Sequence, residues 1–384
     1  MTDFKPDISS ATVPPLRERL VLWRNRCLSD PRFQRWSVRL PLLRGIASHH
    51  ANAMFGIITG FVYTKTLTAI VDLGVIRALA HAPASAAVLA NAADLDPAAM
   101  QRLLAAAAAL DLVERLPRDR WTLGKRGAAL ANNHGALAMI EHHKLFYADL
   151  ADPVAMLRRG RGGGELAAFW SYAEAAGRGD PAAAADAGTT AYSALMAASQ
   201  PMVADQIVNA FDFGRYRRLL DIGGGSGVFV ASLAVRHPAL ALGLFDLPTV
   251  AETAAASLAA RGLGRITVYG GSFRDDPLPS GADLISLVRI LHDHDDNVVR
   301  ALLASVRAVL PPGGCLIIAE PMADTHGAEA MGDAYFGLYL WAMGSGRPRS
   351  ADAYRAMLAA AGFGRVREVR TALPMITRLL VASR

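Results

Sequence analysis

The sequence predicts an α/β chain in which a mostly parallel sheet, with helices on both faces, follows an all-helical domain that ends in a small hairpin. Three observations carry this reading. From Arg218 onward, short apolar runs alternate with helical patterns; the strands are Leu219–Ile222, Ala241–Phe245, Ile266–Tyr269, Ala282–Val288, Cys315–Glu320 and Pro374–Ser383. Such alternation builds parallel sheets. Ahead of Arg218, apolar residues recur at helical rather than strand spacing. At the junction, Leu219-Leu220-Asp221-Ile222 runs into Gly223-Gly224-Gly225-Ser226-Gly227 and then the apolar pattern from Val228, which reads as strand, tight turn and helix.

Taken in order, residues 1–47 form an arm or one or two accessory helices, punctuated by Pro14-Pro15, Pro31 and Pro41 and rich in Arg and Trp. Residues 48–130 read as a winged-helix-like domain. Phe55, Ile58, Val62, Thr66, Ile70 and Leu73 fall near i, i+3, i+4 spacing and predict a core-facing stripe. The most apolar window there, Met54–Tyr63, is bounded by Lys65 and Asp72 and is too short for a membrane span. Asp96 as N-cap and Pro97 at the first position start a helix that runs to Leu110. Leu112–Leu116, Pro117–Arg120 and Trp121–Leu123 then read as a hairpin.

A DNA reader shares that outline. The helix that would enter the groove, however, carries one basic residue, Arg102, and a run of alanines, and lacks the polar array that reads base edges. A packing or dimerisation role fits better, and no nucleic-acid partner is expected. Residues 131–210 are a second helical block, with a loop at Gly160–Gly164 and His134, His142, His143, Phe146, Tyr147, Phe169, Trp170, Tyr172 and Tyr192. The block either lines a pocket for a large apolar substrate or is ordinary core and surface. Residues 211–384 hold the sheet.

Composition sets the class. Of 384 residues, 52% are hydrophobic and 19% charged, which describes a globular chain. The net charge of +6 is concentrated around Arg17–Arg44, Arg115–Arg126 and Arg158–Arg161. These are either solvated faces or attraction to an anionic surface such as a membrane. Cys27 and Cys315 lie far apart and suggest neither a disulfide nor a metal site, as in a reducing cytoplasm. Asp3, Lys5 and Asp7 leave no room for a signal peptide.

In an open parallel sheet, ligands sit at the carboxyl ends of the strands. Gly223–Gly227, Asp246, Gly270–Phe273, Arg289–His292 and Glu320 therefore share one rim. A glycine corner followed about 20 residues on by an acid that takes a ribose suits two cofactor classes, nicotinamide dinucleotides and S-adenosylmethionine. The dinucleotide pattern is G-x-G-x-x-G, whereas here the third glycine, Gly227, comes one residue early. That spacing favours S-adenosylmethionine.

On Leu220–Gly227, Phe245-Asp246-Leu247-Pro248, Arg289-Ile290-Leu291-His292-Asp293-His294-Asp295-Asp296, Leu310–Gly314 and Ile318-Ala319-Glu320-Pro321, the chain resembles the plant-type small-molecule O-methyltransferases. The resemblance covers roughly residues 50 to 384 and implies a Rossmann-like seven-stranded domain, a winged-helix dimerisation domain and a homodimer. It implies that Asp221, Gly223 and Gly225 hold the methionine part of the cofactor, that Asp246 and Leu247 meet the ribose, and that Ser272 and Phe273 lie on the adenine side. Arg289 is a further site residue, paired with a rim acid. His292 is the implied general base and Glu320 the carboxylate that orients it. His294 replaces the family's usual tryptophan, Gly271 replaces a usual acid, and Gly344–Arg349 lacks a second glutamate, so one carboxylate is expected on the base.

Trp36–Pro41, Phe61-Val62-Tyr63 and Asp72-Leu73-Gly74 are similar to the bacterial 1-hydroxycarotenoid O-methyltransferases. This implies a tertiary hydroxyl as acceptor and a peripheral contact with the membrane in which such a substrate dissolves. The competing readings are methylation of a phenolic polyketide or another pigment, a non-catalytic regulator that senses S-adenosylmethionine, and a nicotinamide-dependent oxidoreductase.

Overall fold

The structure, a computed structural model, describes residues 15–170 and 187–384. Tyr172 and the N-terminal Asp3, Lys5 and Asp7 lie outside the described residues, as does the side chain of Tyr192. The chain divides into two compact units, Met1–Gly127 and Ala128–Arg384.

The first unit opens with helices Leu16–Ser29, Pro31–Arg39 and Pro41–Asp72. Pro31 and Pro41 each take the first helical position, where the missing N–H costs nothing. The Asp30 carboxylate caps the second helix by accepting from Arg32 N at 2.7 Å. The described part of the N-terminal arm is thus helical, and the expected boundary at residue 47 falls inside a continuous 32-residue helix. That helix corrects two expectations. Thr66 and Ile70 are buried, but Phe55, Ile58 and Val62 are 60%, 63% and 45% exposed, so the stripe faces a core only over its last turns. By length and composition alone, Leu43–Asp72 is long enough and apolar enough to cross a membrane, since the helix runs through Lys65 and only ends at Asp72.

Helix Val75–His81, β1 (Ala84–Ser85), helices Ala86–Ala92 and Pro97–Ala109, β2 (Val113–Leu116) and β3 (Arg120–Leu123) follow. Asp96 Oδ1 accepts from Ala98 N and Ala99 N, as its N-cap position predicts. Strand β3 pairs antiparallel with both β1 and β2. Ile70, Ile76, Leu79, Leu89, Met100, Leu104 and Trp121 are among the buried side chains of this unit.

The second unit holds a seven-stranded sheet built from β4 (Arg218–Ile222), β5 (Ala241–Asp246), β6 (Thr267–Gly270), β7 (Leu284–Val288), β8 (Cys315–Glu320), β9 (Val366–Val369) and β10 (Arg378–Ser383). Its order is β6-β5-β4-β7-β8-β10-β9, parallel from β6 to β8, with β10 antiparallel between β8 and β9. Strand β9 was not expected. It is a half-exposed edge strand, Val366-Arg367-Glu368-Val369, whose two central charges hide the strand signal.

The central strands are buried on both faces and read as continuous apolar runs, with β7 buried throughout. Helix Asp296–Val309 covers one face with Val299, Leu302, Leu303 and Val306, at i, i+3, i+4, i+7. The sheet order reverses between β4 and β7, which opens the crevice at their carboxyl ends. Leu303, on the helix Asp296–Val309, is wholly buried. Leu303→Ala is expected to lower the stability of this unit by about 2–5 kcal/mol, read from the midpoint of its urea unfolding curve.

Candidate active site

The glycine corner is built as its sequence demands. Gly223, Gly225 and Gly227 have φ of +71°, +55° and +77°, a region closed to most side chains. A Cβ on Gly223 would overlap the Ile290 side chain, whereas one on Gly225 would meet nothing, so the backbone at Gly225 is open to a ligand. Gly223 N donates to Phe245 O at 2.8 Å and ties the corner to β5. At the end of β5, Asp246 Oδ2 accepts from Gly225 N and Oδ1 from Leu247 N, both at 2.7 Å. Burial pushes the Asp246 carboxyl up, and these two bonds pull it back. Each oxygen keeps a second lone pair and can accept one further hydrogen bond. Asp221 lies buried behind the corner and accepts from Ser286 Oγ at 2.7 Å; burial raises its pKa to about 7 against that bond.

The loop after β6 closes the rim beyond Asp246. Ser272 N donates to Asp276 Oδ2, and Ser272 Oγ donates to Asp275 Oδ2, at 2.8 and 2.9 Å. A Cβ on Gly271 would crowd the Phe245 ring at 2.8 Å, so a side chain here would require that ring to shift. Phe273 meets His294 edge-on at 5.2 Å, and His294 Nδ1 lies 3.1 Å from Arg274 Nη2. Burial, then Arg274, drives the His294 pKa down to about 4, so this ring is neutral at physiological pH.

His292 occupies a short 3₁₀ turn, Leu291–Asp293, just beyond β7. Glu320, wholly buried at the end of β8, organises it. Its Oε1 accepts from Ile290 N at 2.9 Å and from Leu291 N at 2.7 Å, while Oε2 bonds His292 Nδ1. The opposite nitrogen, Nε2, lies 3.2 Å from Asp293 Oδ1. Burial works against the charged imidazole, but the Asp293 and Glu320 carboxylates outweigh it, and the His292 pKa is raised above 6.5. Two carboxylates therefore flank the ring. The second comes from Asp293, not from the Gly344–Arg349 segment, and this corrects the single carboxylate expected from sequence.

Arg289 departs from expectation as well. Its guanidinium donates to Ser199 Oγ at 3.0 Å rather than to a rim acid, and its φ of +56° is uncommon for a side-chain-bearing residue. The sequence also gave no sign of the clamp on the other side of the turn. Arg349 is 1% exposed. It donates to Leu291 O at 2.6 Å, His294 O at 2.7 Å and Asp296 Oδ1 at 2.7 Å. Arg347 N donates to His292 O at 3.0 Å, and Ser345 Oγ to Asp293 O at 2.8 Å. An arginine in a Gly/Ser/Pro-rich loop reads as solvated; its burial becomes visible only in three dimensions.

An aromatic wall stands beside His292. The π-helix Ala330–Phe336 and the helix Gly337–Met343 bring up Tyr335, Phe336 and Tyr339, with the Phe336 ring 5.8 Å from the His292 ring. Helix His134–Asp149 faces them. His142 Nε2 lies 2.7 Å from Tyr339 OH, and His143 Nε2 lies 2.8 Å from Tyr335 OH. Trp170 Nε1 donates to Tyr339 OH at 3.3 Å. Burial, then His143, pushes the His142 pKa down to about 4. Of the aromatics and histidines singled out between 131 and 210, His142, His143, Phe146 and Trp170 reach this wall, Phe169 packs on His142 and Tyr147 on His143, whereas His134 is exposed. Tyr335, Phe336 and Tyr339 were missed, although Tyr335 and Tyr339 sit at helical i, i+4 spacing.

A family model of the O-methyltransferase domain matches residues 147–364, more than half of the chain. A second, the O-methyltransferase dimerisation domain, matches residues 55–132. The chain belongs to the O-methyltransferase family. This methyltransferase is 43% identical, over 98% of its length and 98% of the relative's, to the demethylspheroidene O-methyltransferase of Cereibacter sphaeroides. It is 44% identical to the enzyme of the same name from Rhodobacter capsulatus, over 90% of this chain and 85% of that one. Among solved structures it is similar to CalO1, a methyltransferase in calicheamicin biosynthesis, in its SAH-bound form. The TM-score is 0.69 at 27% identity, covering 87% of this chain and 98% of that one. The methyltransferase is S-adenosylmethionine-dependent, like its family, and its C-terminal unit has the expected mainly parallel sheet.

Gly346 (φ +74°) tests the clamp, because a Cβ there would overlap the His292 carbonyl oxygen. Gly346→Ala is expected to lower kcat about 100-fold by displacing the turn, with the affinity for S-adenosylmethionine, measured by calorimetry, unchanged.

Proposed function

We propose that this methyltransferase transfers the methyl group of S-adenosylmethionine to the tertiary 1-hydroxyl of an acyclic carotenoid, as a cytoplasmic homodimer that works at a membrane surface. One structural observation supports the acceptor class. In the wall beside His292 the Tyr339 hydroxyl is bonded to His142 Nε2 and Trp170 Nε1 and the Tyr335 hydroxyl to His143 Nε2, leaving aromatic faces for an apolar ligand. The two demethylspheroidene O-methyltransferases, similar over most of their length, support the carotenoid itself. The dimerisation domain supports the homodimer.

In this reading the segment 131–210 supplies acceptor-side residues, the segment 48–130 the dimerisation domain, and 211–384 the methyl-donor site. Gly223 and Gly225 cradle the methionine part with Asp221 behind them, Asp246 and Leu247 hold the ribose, and Ser272 and Phe273 border the adenine. Arg289 holds helix Ala187–Ala210 against the rim through Ser199. The bound cofactor supplies an electrophilic methyl group and a neutral sulfide leaving group.

The protein's own part is proton removal and alignment. Glu320 fixes Nδ1 of His292 as a donor and aims Nε2 outward. The acceptor hydroxyl takes the place of Asp293 Oδ1 at Nε2, loses its proton to that nitrogen, and forms the new O–C bond. A tertiary alcohol is far less acidic than imidazolium, so proton transfer is concerted with attack. Asp293, whose side chain is a quarter exposed, then accepts the proton from Nε2 and passes it to solvent.

Product mass spectrometry with purified enzyme tests the acceptor: methyl transfer to 1-hydroxycarotenoids is expected, and transfer to phenols alone would overturn the reading. His292→Ala is expected to lower kcat by a factor of about 100 or more with cofactor affinity kept. Neutral imidazole is the active form, so the wild-type rate rises with pH through a pKa above 6.5. Asp293→Asn removes a carboxylate that stabilises the imidazolium, so the acid limb of its pH–rate profile moves to lower pH.

A further inference from the structure

The carotenoid reading places the acceptor in a membrane, and the N-terminal helices carry exposed apolar and basic side chains. Helix Leu16–Ser29 lies ahead of the segment that matches the dimerisation domain, which begins at residue 55. Leu16, Leu20, Trp23 and Cys27 fall at i, i+4, i+7 and i+11 along it as one stripe, and Val21, Leu22 and Leu28 are exposed on its other faces. Leu16, Leu20 and Trp23 are 71%, 56% and 64% exposed. Helical geometry puts Arg19 and Arg26 on one flank of that stripe and Arg17 and Arg24 on the other. The next helix, Pro31–Arg39, repeats the arrangement: Phe33 and Trp36 pack 6.1 Å apart on one side, and Arg32, Arg35 and Arg39 line the neighbouring side.

The charge balance names the occupant. Residues 15–47 hold eight arginines against Glu18 and Asp30, an excess of six that equals the net charge of the whole 384-residue chain. The remainder is neutral, and no Asp or Glu occurs from Pro31 to Val71. A second copy of this chain would bring the same uncompensated arginines to its own contact, and repulsion opposes that pairing. Exposed leucines and tryptophan interleaved with arginines suit the boundary between headgroups and acyl chains: the ring and aliphatic side chains enter and the guanidinium groups meet lipid phosphates.

We infer that the helices Leu16–Ser29 and Pro31–Arg39 form a docking surface for an anionic lipid bilayer, the source of the apolar acceptor. The inference rests on the carotenoid reading for its purpose only, so the test uses vesicles that contain neither acceptor nor cofactor. The full-length protein is expected to float with phosphatidylcholine vesicles containing phosphatidylglycerol about tenfold more than with phosphatidylcholine alone, and to release in half-molar salt. The variant Arg17→Glu/Arg19→Glu/Arg24→Glu/Arg26→Glu, altered only at exposed positions, is expected to bind no better than to neutral vesicles while keeping its wild-type mass in light scattering. Leu20→Ala/Trp23→Ala is expected to weaken binding to both vesicle types. Equal wild-type binding to neutral and anionic vesicles, or unchanged binding of the four-arginine variant, would overturn the inference. So would a halved mass for that variant, which would give the surface to a second copy.

Discussion

A single buried carboxylate dictates the shape of the catalytic rim. Glu320 is wholly buried at the end of β8, and burying an unpaired carboxylate costs several kcal/mol. Its three recorded donors, Ile290 N, Leu291 N and His292 Nδ1, belong to three consecutive residues. The charge can be satisfied only if the chain leaving β7 turns at once and wraps around it. Arg289, the first residue past the strand, takes the left-handed backbone that begins this reversal, a conformation that costs about 1–3 kcal/mol. Arg349 completes the turn from outside by binding the Leu291 and His294 carbonyls, which face away from Glu320. The turn is therefore held between a buried anion and a buried cation, and His292 has little freedom to depart from the line they set.

The aromatic wall follows a different logic. Trp170 donates to the Tyr339 hydroxyl, and the same hydroxyl is bonded to His142 Nε2. Burial, then His143, pushes the His142 pKa down to about 4, so its ring is neutral. Polar side chains are thus present beside the reaction site but are committed to one another, which lowers the cost of burying them and keeps them from competing for an acceptor hydroxyl. The π-helix Ala330–Phe336 makes the arrangement possible, because its wider turn re-aims Tyr335 and Phe336 relative to an ordinary helix.

The legible parts of this protein were those in which local sequence and global structure coincide. The glycine corner, the acid at the end of β5, and the strands from β4 to β8 each combine a short-range pattern with a position forced by sheet topology. The expectations that failed depended on what happens far along the chain. Phe55, Ile58 and Val62 have the spacing of a core stripe, yet no part of the chain among the described residues buries them, and periodicity cannot say which surface a stripe will meet. Arg349 was invisible because a buried arginine and a solvated one look alike in sequence. Asp293 was read only as part of a motif; its contact with His292 Nε2 depends on the tight turn that Glu320 imposes.

That contact bears on how a weakly acidic hydroxyl is activated. A base with a raised pKa is intrinsically stronger, but below that pKa it is mostly protonated and idle. With carboxylates on both ring nitrogens, His292 favours the imidazolium as long as Asp293 remains at Nε2. In the proposed mechanism an acceptor hydroxyl that enters this position displaces Asp293 from Nε2, Asp293 carries the proton away, and the imidazole is neutral when its substrate is in place. Glu320 stays in place and keeps the ring oriented and more basic than an isolated histidine. Deprotonation of the base is thereby coupled to occupancy of the acceptor position, and the base strength is available when the hydroxyl oxygen is aligned for attack.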